Sequence, residues 1–202
     1  MKKITVLLEI ILLVALPLLA VADILWQDDF DGYYPGMPLE DSPDWDEFYP
    51  PDYATFEVAT QSGDDLWVGA NISTCIATGG ADNPNMKVSA GEVDIGVAHL
   101  GLLGVLTRYS ISEENGYAAV CKVYNMDDPP TFYGEIYYID DDDYLHDELA
   151  SIELPGAISF ISIVAHGENP VYLEAWFDGY CLTTYDYIYN LTEGYGGIFA
   201  EG

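Results

Sequence analysis

From residue 23 onward, no stretch of this chain keeps apolar residues at helical spacing over ten positions. Short runs rich in β-branched and aromatic residues are instead bounded by clusters of Gly, Asp, Asn and Pro, the pattern of an all-β fold. The clearest predicted strands are 53–59, 71–78, 91–98, 102–109, 117–124, 132–139, 158–165, 171–178 and 197–200, with weaker ones at 23–30, 65–70 and 180–185. Ten to twelve strands are too many for a seven-stranded immunoglobulin domain and suit a jelly-roll sandwich of two antiparallel sheets.

Alternation with period two assigns faces. In 171–178, Val171, Leu173, Ala175 and Phe177 point one way, and Tyr172, Glu174, Trp176 and Asp178 the other. In 132–139, Tyr133, Glu135 and Tyr137 alternate with Phe132, Gly134, Ile136 and Tyr138. Residues 102–106 are apolar on both faces, as a central strand would be. Asp178-Gly179 predicts a tight hairpin, because a type I′ turn needs positive φ, and Glu114-Asn115-Gly116 predicts a second one. The Pro-, Asp- and aromatic-rich segment 33–52 reads as a long surface loop.

The first 22 residues break this pattern. Lys2 and Lys3 precede a nearly continuous apolar run from Ile4 to Ala20, and Ala20-Val21-Ala22 is a small-x-small cleavage site, so 1–22 reads as a signal peptide. The expected mature chain, 23–202, is one domain with enough residues for a proper core. It keeps Lys87, Arg108 and Lys122 as its only Lys or Arg, against 34 acids, for a net charge of −31. Such a surface repels phosphate backbones and anionic headgroups, which excludes nucleic acid and, after signal cleavage, membrane as partners. The chain is half hydrophobic and carries 17 Tyr, 7 Phe and 4 Trp, far from the composition of a disordered acidic tail. Cys75, Cys121 and Cys181 allow one disulfide and a free thiol, or three free thiols, and show no zinc-ligand spacing.

Four segments, in order, resemble concanavalin A-like lectin/glucanase domains of the laminin G-like type. Leu25-Trp26-Gln27-Asp28-Asp29-Phe30-Asp31-Gly32 resembles their opening acidic-aromatic strand. Gly104-Val105-Leu106-Thr107-Arg108-Tyr109, followed by Asn115-Gly116-Tyr117-Ala118-Ala119-Val120, resembles their central hairpin. Leu173-Glu174-Ala175-Trp176-Phe177-Asp178-Gly179 resembles their late hairpin, and the segment from Gly194 to Ala200 a Gly-rich strand near their end. The resemblance implies two stacked antiparallel sheets with glycan, peptide or adhesion ligands at a loop edge or concave face. Such domains continue into a final strand that pairs with the first. This chain stops at Gly202, so that strand is expected to be absent or to belong to further domains of a longer parent chain.

Three chemistries compete for the acids and aromatics. Glu92-Val93-Asp94-Ile95 resembles the catalytic strand of glycoside hydrolases of this fold, which need two carboxylates about 5–5.5 Å apart in retaining enzymes. Gly96 and Val97 stand where the second Glu should be, so no catalytic residue is assigned. Asp28, Asp29 and Asp31, and Asp140 with Asp142, form clusters of the hard oxygen donors that a structural calcium prefers. Tyr172, Glu174 and Trp176 on one strand, with Tyr133 and Tyr137 beside Glu135 on another, fit sugar binding, with rings stacking on sugar faces and acids taking hydroxyl hydrogen bonds. Arg108 is expected to pair with a carboxylate. The expectation is a secreted or cell-surface binding module of periplasmic or extracellular location, with a polysaccharide or surface glycan as partner. The alternatives are a glycoside hydrolase using Glu92 and Asp94, and an adhesion module without a small ligand.

Overall fold

The computed structural model describes residues 37–38, 41–42, 45–48, 56–60, 66–70, 75–79, 84–91, 102–125, 130–140, 145 and 147–201. These form strands β1 (Trp45–Phe48), β2 (Phe56–Thr60), β3 (Leu66–Ala70), β4 (Cys75–Gly79), β5 (Met86–Gly91), β6 (Leu102–Ser110), β7 (Asn115–Asn125), β8 (Thr131–Ile139), β9 (Asp147–Leu154), β10 (Phe160–His166), β11 (Val171–Phe177), β12 (Tyr180–Asp186) and β13 (Tyr195–Glu201). A seven-stranded sheet runs β1-β4-β13-β6-β7-β8-β9 and a four-stranded sheet runs β12-β11-β10-β5. Strands β2 and β3 form a separate pair. Every pairing among these strands is antiparallel. The two larger sheets stack through β10 on β6 and β7, β5 on β6, and β12 on β9, giving the all-β sandwich expected from the alternation.

The core between the sheets takes alternate residues of β6, β7, β10 and β11. Val105, Tyr117, Ala119, Cys121 and Val123 meet Ile161, Ile163, Ala165, Val171, Leu173, Ala175 and Phe177 there. Full burial of each Val, Leu, Ile or Phe contributes about 1.5–3 kcal/mol. Gly134 makes room for Phe177, since a Cβ at 134 would sit 2.6 Å from that ring. Leu102, Leu106, Ala118, Val120, Ile139 and Phe199 form a second apolar cluster on the far side of the seven-stranded sheet. Strand β6 therefore buries both faces, as 102–106 predicted, and it lies between β13 and β7.

Several expectations change. Segment 33–52 is not all loop, because β1 lies inside it and pairs with β4. Strands β5 and β9 were not foreseen. The β6–β7 turn occupies residues 111–114 with the positive φ on Glu114 (52°), so Asn115 and Gly116 already belong to the strand. Gly116 serves close packing, since a Cβ there would lie 2.8 Å from the Tyr109 ring. In the β11–β12 hairpin, positive φ falls on Asp178 (51°), whose carboxylate accepts hydrogen bonds from the Ser159 and Phe160 backbone N–H groups. Arg108 makes no ion pair among the described residues. It is fully buried, its Nε donates to the Pro84 carbonyl at 2.9 Å, its Nη1 donates to the Leu191 carbonyl, and Nη2 adds a second bond to Pro84. Burial lowers its pKa, with partial compensation from Tyr117 and Glu168. Cys121 is a buried free thiol and Cys181 an exposed one. The segments 1–22 and 23–30 lie outside the described residues.

Candidate functional site

The inward positions of β10 and β11 are apolar, so pleating leaves the alternate positions to build the outer face of the four-stranded sheet. Register sets them in rows. Trp176 lies opposite Cys181 and Ser162, Glu174 opposite Thr183 and Val164, and Tyr172 opposite Tyr185 and His166. Lys87 of β5 continues the Glu174 row beyond Val164. Rings follow one another across the strands. His166 meets Tyr172 edge-on at 4.6 Å between centroids, Tyr172 lies 5.1 Å from Tyr185, and Tyr185 lies 6.2 Å from Tyr187. These rings face solvent: Tyr185 is 54% exposed, Tyr187 68% and Trp176 36%.

Glu174 fixes the orientation of its neighbours. The indole Nε1–H of Trp176 donates to Oε1 at 2.7 Å, and the Tyr172 hydroxyl donates to Oε2 at 3.0 Å. These two bonds, the Trp176 one foremost, hold the carboxylate below its ordinary range despite some desolvation, and His166 and Lys87 assist. The Tyr172 hydroxyl moves the other way, raised by desolvation and by its bond to Glu174. A carboxylate has about four lone-pair sites, so Glu174 can still accept from a ligand hydroxyl while keeping both bonds.

A rigid turn sets the far end of this surface. Asp186 ends β12 only 2% exposed, and its Oδ1 accepts the backbone N–H of Ile188 (2.7 Å) and Tyr189 (3.1 Å). Its Oδ2 accepts the N–H of Asn190 (2.7 Å) and the hydroxyl of Tyr117 (2.5 Å). Burial pushes the Asp186 carboxyl up, but these four donors outweigh it and leave the pKa lowered. Tyr189 stacks flat on Tyr138, centroids 3.4 Å apart, and its hydroxyl bonds Asp147. The turn therefore presents Tyr187 and Ile188 to solvent from a fixed base.

The structure thus gathers Tyr172, Glu174 and Trp176 into one surface, as alternation predicted, and adds Tyr185, Tyr187, His166 and Lys87. Tyr185 carried a readable signal, since it shares the outward parity of Cys181 and Thr183 in 180–185. The turn at Asp186 carried none. Tyr133 and Tyr137 lie on the outer face of the other sheet. Tyr133 is half-buried, but Tyr137 is buried and offers no ring face; its hydroxyl donates to Glu135 at 2.8 Å. The expectation of an exposed aromatic at 137 is corrected, because this sheet has an apolar cluster on its outer side as well. Asp28, Asp29, Asp31, Asp142, Glu92 and Asp94 lie outside the described residues. Asp140 is described, and among the described residues no three His, Cys, Asp or Glu are grouped to hold a metal.

No family model matches the chain, and no curated protein matches it. Its fold is similar to a solved structure, the carbohydrate-binding module CBM66 from Bacillus subtilis, at a TM-score of 0.51 and 12% sequence identity. The likeness covers 78% of this chain and 91% of that one.

Proposed function

We propose that this chain is a secreted or cell-surface carbohydrate-binding module whose binding surface is the outer face of β10, β11 and β12. The observation that carries the reading is the row of exposed rings set around Glu174. Flat aromatic faces cover the apolar faces of sugar rings, and a fixed carboxylate accepts their hydroxyl groups. Support also comes from the likeness to a carbohydrate-binding module, from the motifs that resemble laminin G-like domains, and from the export-like first 22 residues. The ligand class is a neutral or cationic polysaccharide, because a chain of net charge −30 repels polyanions.

The test is binding of the full chain to a panel of immobilised polysaccharides, alongside Trp176→Ala and Tyr185→Ala. Both residues are exposed, so the variants should fold. Selective binding by the wild type that weakens about tenfold or more in each variant, a loss of about 1.4 kcal/mol or more, supports the reading. Equal binding by all three proteins would refute the assignment to this face. No binding by a verified folded wild type would refute the glycan reading itself.

A further inference from the structure

We propose a second site on the opposite outer face of the molecule: a cleft on the seven-stranded sheet that takes a primary ammonium group, as carried by an amino sugar that is not acetylated. The proposal goes beyond the aromatic face of the other sheet and does not rest on it. The cleft has a volume of about 410 Å³ and is lined, among the described residues, by Tyr124, Thr131, Tyr133, Glu135, Glu148 and Ser151. Strand register explains the grouping. Tyr133 lies beside Lys122, Glu135 faces Ser151 across β8 and β9, and Glu148 lies one outward position further along β9.

The Glu135 side chain is 1% exposed, and its described partner is the Tyr137 hydroxyl. A buried carboxylate is strongly disfavoured unless a cation or several donors compensate it. This chain has few cations to give, with five Lys and Arg in total. Of the three described, Arg108 is committed to backbone carbonyls, Lys87 stands on the other sheet, and Lys122 directs its ammonium at the Tyr124 ring. None stands within ion-pair distance of Glu135. The cleft therefore has the carboxyl group of Glu135 at its floor, with none of these cations on it, and a second, exposed carboxyl group at Glu148.

Its aromatic wall suits the same charge. Tyr124 and Tyr133 meet edge-to-face, 5.0 Å between centroids at 75°, and Lys122 Nζ already lies 4.6 Å from the Tyr124 centroid. A cation over a tyrosine face is attracted by the ring quadrupole, and the contact strengthens when water is excluded. An ammonium group of the chain itself thus already stands over one of these two rings. Thr131 and Ser151 supply hydroxyl groups that can donate to or accept from the hydroxyls of a sugar carrying the amine. Acetylating the amine removes both the charge and the cation–π contact, so the site should reject the N-acetylated form.

The test uses the full chain, a short glucosamine oligomer and its fully N-acetylated counterpart, with affinities from calorimetry. The amine form should bind at least about tenfold more tightly than the acetylated form. Tyr124→Ala and Glu148→Gln, both at exposed positions, should each cost about tenfold, or about 1.4 kcal/mol. Glu135→Gln should cost more, and the two surface variants keep the test decisive if it fails to fold. In a Trp176→Ala background, which removes the contribution of the aromatic face, each cleft variant should still cost about tenfold, which separates the cleft from that face. Equal binding of the two oligomers would overturn the proposal. So would amine binding that none of the cleft variants weakens, which would mark general attraction to an acidic surface. A lysine dipeptide that binds as tightly as the amino sugar would overturn the saccharide assignment.

Discussion

Replacing Asp186 with Ala should destabilise the fold by about 2–4 kcal/mol and should weaken ligand binding although residue 186 is buried. The carboxylate receives four hydrogen bonds, from the Tyr117 hydroxyl and from the backbone of Ile188, Tyr189 and Asn190. Tyr117 is fully buried, so its hydroxyl cannot turn to water, and an unsatisfied buried donor costs about 1–3 kcal/mol. The three backbone groups resemble a helix cap, whose loss costs about 1 kcal/mol, because the exposed turn can rehydrate them in part. Asp186→Asn should fall between, since the amide keeps one acceptor and turns its NH₂ toward the remaining donors. Urea unfolding followed by tyrosine and tryptophan fluorescence reads the loss as a shifted midpoint at constant slope. The dependence on pH has a definite sign. The Asp186 carboxyl is held below its ordinary 3.8, so its contribution is fully present above that value and is lost as pH falls through the lower folded-state value. An Asp186→Ala protein within about 0.5 kcal/mol of wild type, with unchanged ligand affinity, would refute the claim that this turn holds the outer face in place.

Other substitutions test the packing and the outer face. Gly134→Ala should cost about 1–3 kcal/mol by forcing a methyl into the Phe177 ring. Gly104→Ala should cost more, because its Cβ would lie 2.4 Å from the Ala119 carbonyl oxygen, which cannot rotate away; thermal melts of both variants check the order. Arg108→Leu should cost about 1–3 kcal/mol by removing the guanidinium's hydrogen bonds to the Pro84 and Leu191 carbonyls, as chemical denaturation would read. Glycan binding at the outer face should weaken as pH falls below the ordinary 4.5 of a glutamate. Glu174 then protonates at its lowered pKa and releases Trp176 and Tyr172, and binding titrations between pH 3 and pH 6 should show that decline in the wild type and not in Glu174→Gln.

Much of the sandwich was legible in the sequence because pleating converts alternation directly into burial. Val171, Leu173, Ala175 and Phe177 are all fully buried, and Tyr172, Glu174 and Trp176 share the outward side, as the period of two required. Strand β9 was not legible: its sequence, DELASIEL, is acidic and poor in β-branched residues. It is a sheet edge paired on one side with β8, with an irregularity opposite Ile136 and Tyr137 that breaks the alternation. The hairpin at Asp178 was legible in place but not in detail, since side-chain hydrogen bonds let Asp rather than Gly hold the positive φ. The core of the candidate surface followed from strand parity alone. Tyr187 did not, because a turn folded around a buried carboxylate leaves no periodic trace. Tyr137 was misread for a related reason: strand parity says which way a ring points, not whether something covers it.

Cys181 lies directly across from Trp176 on the outer face, whereas the Cys121 thiol, pushed up to about 12 by burial and by the nearby Asp178 and Glu135 carboxylates, is sealed in the core. Of these two thiols, Cys181 is the one open to a thiol-reactive fluorophore. Its own pKa is raised by desolvation and by Glu174, so labelling should go best in mildly alkaline buffer. A dye anchored there would sit within quenching distance of the indole. Its brightness would report occupancy of the surface in real time, turning the exposed thiol into a built-in sensor for any ligand that this face takes.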